Sequence, residues 1–187
     1  MAFFLTIFMQ KIITIFGSAR VTENSEEWNF AYKLGKLLAR SGYAICNGGY
    51  AGIMEASAKG AYEEGGITIG VISKIFSRIP NKYITKIIET NNLYERIDGL
   101  VTNGDAYVVL KGGTRTLVEI AIVWEMINKG MMYNKPIIAV SPFWDNVVNQ
   151  FKEELAWEGI GNCTKHVKLA STPDEILMLL NSSFNNK

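Results

Sequence analysis

Short apolar runs alternate with longer amphipathic segments along almost the whole of this chain. The runs are rich in valine and isoleucine and end at glycine or polar residues, a pattern typical of strands that are buried on both faces. Because strand–helix alternation of this kind builds parallel sheets, we predict an α/β fold, namely a Rossmann-like doubly wound parallel sheet with helices on both faces. The predicted strands are Lys11–Gly17, Tyr43–Asn47, Thr68–Ile72, Ala106–Leu110, Pro136–Val140 and Val167–Ala170. The predicted helices are Ser25–Ser41, Ala51–Glu64, Leu93–Asn103, Thr116–Asn128, a segment ending near Trp157, and a last helix that begins at Thr172-Pro173-Asp174-Glu175.

The length of 187 residues fits a single domain spanning residues 1–187. Residues 73–90 are predicted to be irregular, with a turn at Pro80-Asn81. Residues 1–9 are apolar but too short to cross a membrane and lack a charged leader, so we interpret them as a non-native or flexible extension, with Met1 and Met9 as alternative starts. Residues 181–187 are predicted to form a polar tail, and no membrane role is expected.

The composition argues against several classes of protein. A net charge of +1 provides no broad basic surface, so binding to nucleic acid is not expected. The two cysteines form no Cys-x-x-Cys pair and His166 is the only histidine, so neither a metal nor a cofactor is predicted. Isolated thiols suit a reducing, cytoplasmic location. The chain has no Gly-x-x-x-x-Gly-Lys-Ser/Thr loop and no Gly-x-Gly-x-x-Gly loop, which argues against an NTPase and an NAD enzyme.

The segment 105–119 is the strongest indication of a site. An apolar strand ends at Gly112 and Gly113, and a helix follows. Glycines allow close approach to the backbone, and the first turn of a helix offers unpaired N–H groups, so this segment predicts an anion site with Glu119 beside it. The alternative is that Thr116 and Glu119 form only a capping box, as the same spacing predicts at 172–175.

Two further loops carry arginines. Gly17, Ser18 and Arg20 follow the first strand and suit an anion. The alternative is that Ser18 caps a turn and Arg20 is a solvated surface charge. Arg96 follows a polar loop at the start of a helix and could point back at the sheet edge. Taken alone, that segment favours an exposed arginine paired with a nearby acid.

Another glycine-rich loop follows the second predicted strand. Gly48, Gly49 and Gly52 permit tight turning and close ligand approach, and Glu55 lies in the first turn of the next helix. Glycines also serve the packing of helices on strands, and Glu55 would suit the helix dipole with no other role. Both interpretations remain open for this loop.

Together and in this order, these loops resemble the LOG family, the cytokinin riboside 5′-monophosphate phosphoribohydrolases that are also labelled "lysine decarboxylase-like". The resemblance covers roughly residues 11–158. It rests on Phe16-Gly17-Ser18-Ala19-Arg20, Gly48-Gly49-Tyr50-Ala51-Gly52-Ile53-Met54-Glu55, Gly65-Gly66-Ile67-Thr68-Ile69-Gly70-Val71-Ile72, Glu95-Arg96 and Gly112-Gly113-Thr114-Arg115-Thr116-Leu117-Val118-Glu119.

The resemblance implies a homodimer that binds a nucleoside 5′-monophosphate and hydrolyses its N-glycosidic bond to free base and ribose 5-phosphate. Arg96 and Glu119 occupy the positions of the family's catalytic arginine and glutamate. The phosphate would bind at the residues that match the family's loop, Gly112, Gly113, Thr114 and Thr116.

The chain departs from the family pattern at four positions. Lys111 stands in place of a proline, Arg115 in place of a third glycine, Ile97 in place of a lysine, and Tyr50 in place of a glycine in the second loop. If position 115 requires a positive φ, a side chain there is strained; alternatively, Arg115 adds a phosphate ligand. The leading prediction is a phosphoribohydrolase, and the second is a nucleotide-binding protein of the same fold with little or no hydrolase activity.

Overall fold

The computed structural model describes residues 10–133 and 135–185. All strands in these residues join one parallel sheet, in the order β4-β3-β2-β1-β5-β6-β7. The strands are β1 (Ile12–Phe16), β2 (Ala44–Asn47), β3 (Thr68–Ser73), β4 (Lys86–Thr90), β5 (Ala106–Val109), β6 (Ile137–Val140) and β7 (Val167–Ala170). The central strands are buried along their whole length because helices cover both faces. The predicted Rossmann-like fold is therefore confirmed.

The helices divide between the two faces of the sheet. They are α1 (Glu26–Arg40), α2 (Ile53–Glu63), α3 (Leu93–Asn103), α4 (Thr114–Asn128), α5 (Asp145–Trp157) and α6 (Pro173–Asn185). Helix α1 packs on α2 and α6, and α3 packs on α4. Right-handed crossovers explain this division, because the chain moves outward from β1 in one direction through α1 and α2 and in the other direction through α4 and α5.

The topological switch point lies between β1 and β5. Phe16 at the end of β1 pairs with Val109 at the end of β5, so the loops that follow these two strands start side by side. The Ser18 backbone N–H donates to the Lys111 carbonyl oxygen at 2.9 Å and joins the two loops directly. Ligands of open parallel sheets bind in the crevice at such a point, beyond the carboxyl ends of the strands.

Three predictions about individual elements were wrong. The segment expected to be irregular contains the edge strand β4, whose polar and exposed positions hide the apolar alternation of a strand. Helix α4 begins at Thr114 instead of Thr116. Helix α6 continues to Asn185 through most of the expected polar tail, where Asn181 accepts a hydrogen bond from Tyr43. The expectation for residues 1–9 lies outside the described residues.

Candidate functional site

The N-terminus of α4 lies open at the switch point. Gly113 is its N-cap, and no side chain in the described residues caps it. By contrast, Ser25 caps α1 and Asn92 caps α3 through their side chains. The first intrahelical bond of α4 runs from Leu117 N–H to the Gly113 carbonyl, which leaves the amides of the first turn without helical partners. These amides and the positive end of the helix dipole can bind an anion.

The alternative interpretation of Thr116 and Glu119 as a capping box is wrong. Since α4 begins two residues earlier than expected, Thr116 lies inside the first turn and Glu119 in the second. Both side chains are buried, with 2% and 5% exposure. The same spacing at Thr172 and Glu175 does cap α6, where Glu175 N–H donates to the Thr172 hydroxyl oxygen at 3.2 Å.

Arg96 is buried under the carboxyl edge of the sheet. It is only 2% exposed, so its interpretation as a surface arginine is wrong. Its Nε donates to the Val71 carbonyl at 3.0 Å and its Nη2 to the Gly48 carbonyl at 3.3 Å. Its Nη1 is buried and has no hydrogen-bond partner among the described residues. A buried guanidinium nitrogen with a free N–H is available to an acceptor on a ligand.

Glu119 faces the same region from α4. Burial raises the pKa of this carboxyl to about 7, while the charges of Arg96 and Arg115 act in the opposite direction. Burial lowers the pKa of Arg96, and Glu119 opposes that shift. The two side chains therefore interact electrostatically, although no ion pair within 4.0 Å joins them in the described structure. A carboxyl with a pKa near 7 can both accept and donate a proton at neutral pH.

The rings of Tyr50 and Phe76 complete a cluster with Arg96, Arg115 and Glu119. Neither aromatic residue was among the predicted site residues. The guanidinium carbon of Arg96 lies 5.7 Å from the ring centres of Tyr50 and Phe76. The guanidinium carbon of Arg115 lies 5.7 Å from the Phe76 ring. The replacement of a family glycine by Tyr50 was a usable signal. Phe76 lies in a segment that was predicted to be irregular, and no motif around it indicated a site.

The glycines of the second loop pack against their surroundings. A Cβ on Gly48 would lie 1.8 Å from Nη2 of Arg96, and a Cβ on Gly52 would lie 2.4 Å from the Ser18 carbonyl oxygen. Gly49 and Gly52 also have φ values of +75° and +69°, which favour glycine. The loop is thus shaped to receive the Arg96 side chain, which supports the packing interpretation at Gly48.

The phosphate-loop glycines differ from one another. A Cβ on Gly112 would lie 2.1 Å from the Thr116 hydroxyl oxygen, whereas a Cβ on Gly113 would meet nothing within 4 Å. Gly113 therefore borders open space, and Gly112 packs on Thr116. Arg115 lies in the first turn of a right-handed helix, so the strain expected from a positive φ does not arise.

For the remaining predicted site residues, the structure shows packing, turn-capping or exposed positions. Gly17 packs on Ile53, and the Ser18 hydroxyl oxygen accepts from the Arg20 N–H at 3.1 Å, as the turn-capping interpretation expects. The Arg20 side chain is exposed and Glu55 is half-buried. A ligand role for these residues stays a prediction.

A cavity separate from the region of Arg96 and Glu119 lies on the α1 side of the switch point. It has a volume of about 530 Å³ and apolar walls that include Phe30, Leu110 and Phe143. Lys111 lies at its edge, paired with Glu27 at 2.7 Å. The volume is within the range of small-molecule sites. This cleft was not predicted, because the parts of its wall that come from α1 and from the loops after β6 and β7 carry no recognisable motif.

The motif loops thus meet at one edge of a doubly wound sheet, and comparison with known proteins identifies the family. The model of the SLOG cluster4 family matches residues 10–176. This chain belongs to the SLOG cluster4 family. The matched region contains every loop of the predicted site.

Relatives with the predicted name support the LOG resemblance of this SLOG cluster4 protein. The cytokinin riboside 5′-monophosphate phosphoribohydrolase of Mycobacterium tuberculosis is 31% identical over 64% of this chain and 65% of its own length. This chain thus spans slightly less than two thirds of that relative. An uncharacterized protein of Archaeoglobus fulgidus is 31% identical over 67% of this chain and 82% of its own length. The predicted resemblance is confirmed.

A solved structure shares the fold. The molybdenum cofactor binding protein of Rippkaea orientalis is 24% identical, with a TM-score of 0.74 over 95% of this chain and 99% of that one. At this identity the likeness concerns the fold alone. In the described part of this SLOG cluster4 protein, no helix has the length and apolar character needed to cross a membrane.

Proposed function

We propose that this protein is a nucleoside 5′-monophosphate phosphoribohydrolase of LOG type. The observation that carries the proposal is the burial of Arg96 and Glu119 together beside the uncapped N-terminus of α4. The relative from Mycobacterium tuberculosis that is named for this reaction supports the same assignment. We propose AMP or a cytokinin ribotide as substrate, and no metal or cofactor takes part in this scheme.

In this scheme the phosphate binds at the amides of the first turn of α4. Gly113 leaves open space for it, and Arg115 adds a cation at a helix end that already carries a partial positive charge. Arginine at this end of a helix is unfavourable by itself, and a bound phosphate dianion removes the conflict. Nη1 of Arg96 offers a further N–H to a ligand oxygen.

Glu119 then acts at the anomeric carbon. As the bond between that carbon and the base nitrogen breaks, its electron pair leaves with the base and positive charge develops on the sugar. The Glu119 carboxylate stabilises this charge and takes a proton from the attacking water, whose oxygen bonds to the anomeric carbon. The departing base takes up a proton from solvent, and ribose 5-phosphate remains, while the proton that Glu119 took from the water later returns to solvent, so that one water is consumed for each nucleotide. A pKa near 7 allows Glu119 to release its proton for the next cycle.

The test is incubation with AMP and with isopentenyl-AMP, followed by chromatography for free base and ribose 5-phosphate. Equal amounts of the two products from wild-type protein, and none from Glu119→Gln, are expected. Base release by Glu119→Gln at the wild-type rate would remove Glu119 from the mechanism.

The alternative is a nucleotide-binding protein with little or no hydrolase activity. The departures at Lys111 and Arg115 favour it, because both change the loop that follows β5. Thermal stabilisation by AMP without release of base would support this alternative. Arg115→Gly in the same assay identifies whether that side chain suppresses turnover.

We also propose that the protein is a homodimer that buries the outer face of α4 and α5. An apolar groove of about 210 Å³ runs between these helices, and its walls include Leu117, Trp124, Phe151 and Leu155. Phe151 is 47% exposed there, next to the Trp124 ring. A second copy of the same face would cover these side chains.

A further inference from the structure

The Phe76 ring contacts two guanidinium groups of the candidate site at once. Its centre lies 5.7 Å from the guanidinium carbon of Arg96 and 5.7 Å from that of Arg115. Two cations at one ring repel each other, and Arg115 is indeed among the charges that lower the pKa of Arg96. The ring faces offset part of this repulsion through cation–π attraction.

The two arginines are anchored to different degrees. Arg96 is buried and bonded to the carbonyls of Val71 and Gly48. Arg115 is exposed, and its guanidinium group lies at the Phe76 ring without a hydrogen bond or ion pair to any side chain in the described residues. Loss of the ring would therefore release Arg115 into solvent while Arg96 stays in place.

Phe76 is itself held in position. The ring of Tyr50 meets it edge to face, with 6.0 Å between the centres and an angle of 86°. The Tyr50 hydroxyl donates to the Ser73 carbonyl at 3.2 Å and accepts from the Ser73 N–H at 3.0 Å, which ties the buried Tyr50 to the end of β3. Phe76 follows three residues later, in the short 3-10 turn Lys74–Phe76.

We propose that Phe76 is a positioning residue that holds Arg115 toward the N-terminus of α4 and beside Arg96, so that both guanidinium groups face one phosphate and Glu119. The binding of a phosphate in this proposal rests on the proposed function, but the effect of Arg115 on the ionisation of Glu119 does not. Two cations beside a single carboxyl leave an excess of positive charge, which favours the binding of a phosphate.

The effect on Glu119 can be measured without any ligand. Among the described residues, the charged groups that act on it are Arg96 from α3 and Arg115 from α4. When Arg115 turns into solvent, its stabilisation of the Glu119 carboxylate is lost and the pKa of Glu119 rises. Phe76→Leu removes the ring but keeps apolar volume, and Phe76→Tyr keeps the ring.

Tyr83 provides a matched control. It lies in the same connection between β3 and β4, and its ring also has two cations nearby, with Lys59 at 5.9 Å and Lys82 at 5.2 Å. These lysines are not among the charges that act on Glu119. Tyr83→Leu therefore removes an equivalent ring outside the cluster.

The decisive measurement is the pH midpoint of the Glu119 titration in the folded protein, which is read as the pH at which the growing stability difference between each protein and its own Glu119→Gln version levels off. We expect Phe76→Leu to move this midpoint upward by roughly half a pH unit, and Phe76→Tyr and Tyr83→Leu to leave it unchanged. A midpoint in Phe76→Leu equal to that of the wild type overturns the proposal, whatever the AMP assay gives.

AMP affinity, measured by calorimetry in the Glu119→Gln background, provides the second readout. We expect Phe76→Leu to bind AMP about tenfold more weakly than Tyr83→Leu, since loss of a cation–π contact has that order of effect. A failure of wild-type protein to bind AMP would contradict the proposed function but not the positioning of Arg115, which the pH midpoint tests separately.

Discussion

Glu119→Gln should make the protein more stable at alkaline pH while abolishing hydrolysis. In the folded protein the pKa of Glu119 is raised from 4.5 to about 7, chiefly by burial. The folded state therefore holds a proton that the unfolded state releases. Below pH 4.5 both states are protonated and the group has no effect on stability. As the pH rises from 4.5 to 7 stability is lost, and above pH 7 the loss is complete.

The magnitude follows from the size of this change in pKa. The difference between about 7 and 4.5 is about 2.5 pKa units, which at ~1.36 kcal/mol per unit corresponds to about 3 kcal/mol at pH 8. At pH 5 the loss is below about 1 kcal/mol, since this pH lies only about half a unit above the pKa of the glutamate in the unfolded state. Glutamine resembles the protonated acid in shape and carries no charge, so the variant escapes the loss. For a chain of this length, 3 kcal/mol is roughly 6–12 °C in Tm.

The assay is thermal or urea unfolding of wild type and variant at pH 5 and pH 8. The control is Glu125→Gln on the same helix, whose side chain is 57% exposed and pairs with Lys129 at 3.5 Å. That exposed pair is worth at most about 1 kcal/mol, so a small change at both pH values is expected. If Glu119→Gln is no more stable than wild type at pH 8, the argument from burial of the carboxyl is refuted.

Three further outcomes are expected. Gly48→Ala should destabilise the protein by about 1–3 kcal/mol in urea unfolding, because the new methyl group would lie 1.8 Å from the Arg96 guanidinium. Gly113→Ala, which has open space around it, should change stability by less than ~1 kcal/mol, and equal losses in the two variants would contradict the packing role of Gly48. Arg96→Lys should reduce kcat/KM for AMP by more than tenfold, since the single nitrogen of an ammonium cannot replace the separate positions of Nε, Nη2 and Nη1 that serve the two carbonyls and a ligand. Unchanged kinetics would exclude the arginine from the site. Phe151→Glu should shift the mass measured by analytical ultracentrifugation from dimer to monomer, and an unchanged mass would move the interface elsewhere.

Much of this architecture could be predicted because it depends on local patterns. Strand–helix alternation predicts a doubly wound sheet, and the strand ends predict which loops share an edge. The edge strand β4 was missed since Lys86 and Glu89 are polar and its two isoleucines are adjacent, one of them exposed, so the alternation of a half-buried strand is absent. The first turn of α4 was misjudged because the threonine spacing resembles a cap, while the cap is Gly113.

The sequence by itself thus determined the fold class, the family resemblance and the loops that gather at the switch point, all of which follow from short-range periodicity and turn chemistry. Only the tertiary structure decided what the charged residues do there. Arg96 is buried because carbonyls 25 and 48 residues away accept its N–H groups. The raised pKa of Glu119 and the contacts of Phe76 likewise depend on groups from separate elements. Desolvation and cation–π contact depend on three-dimensional distance, and distance along the chain does not reveal them.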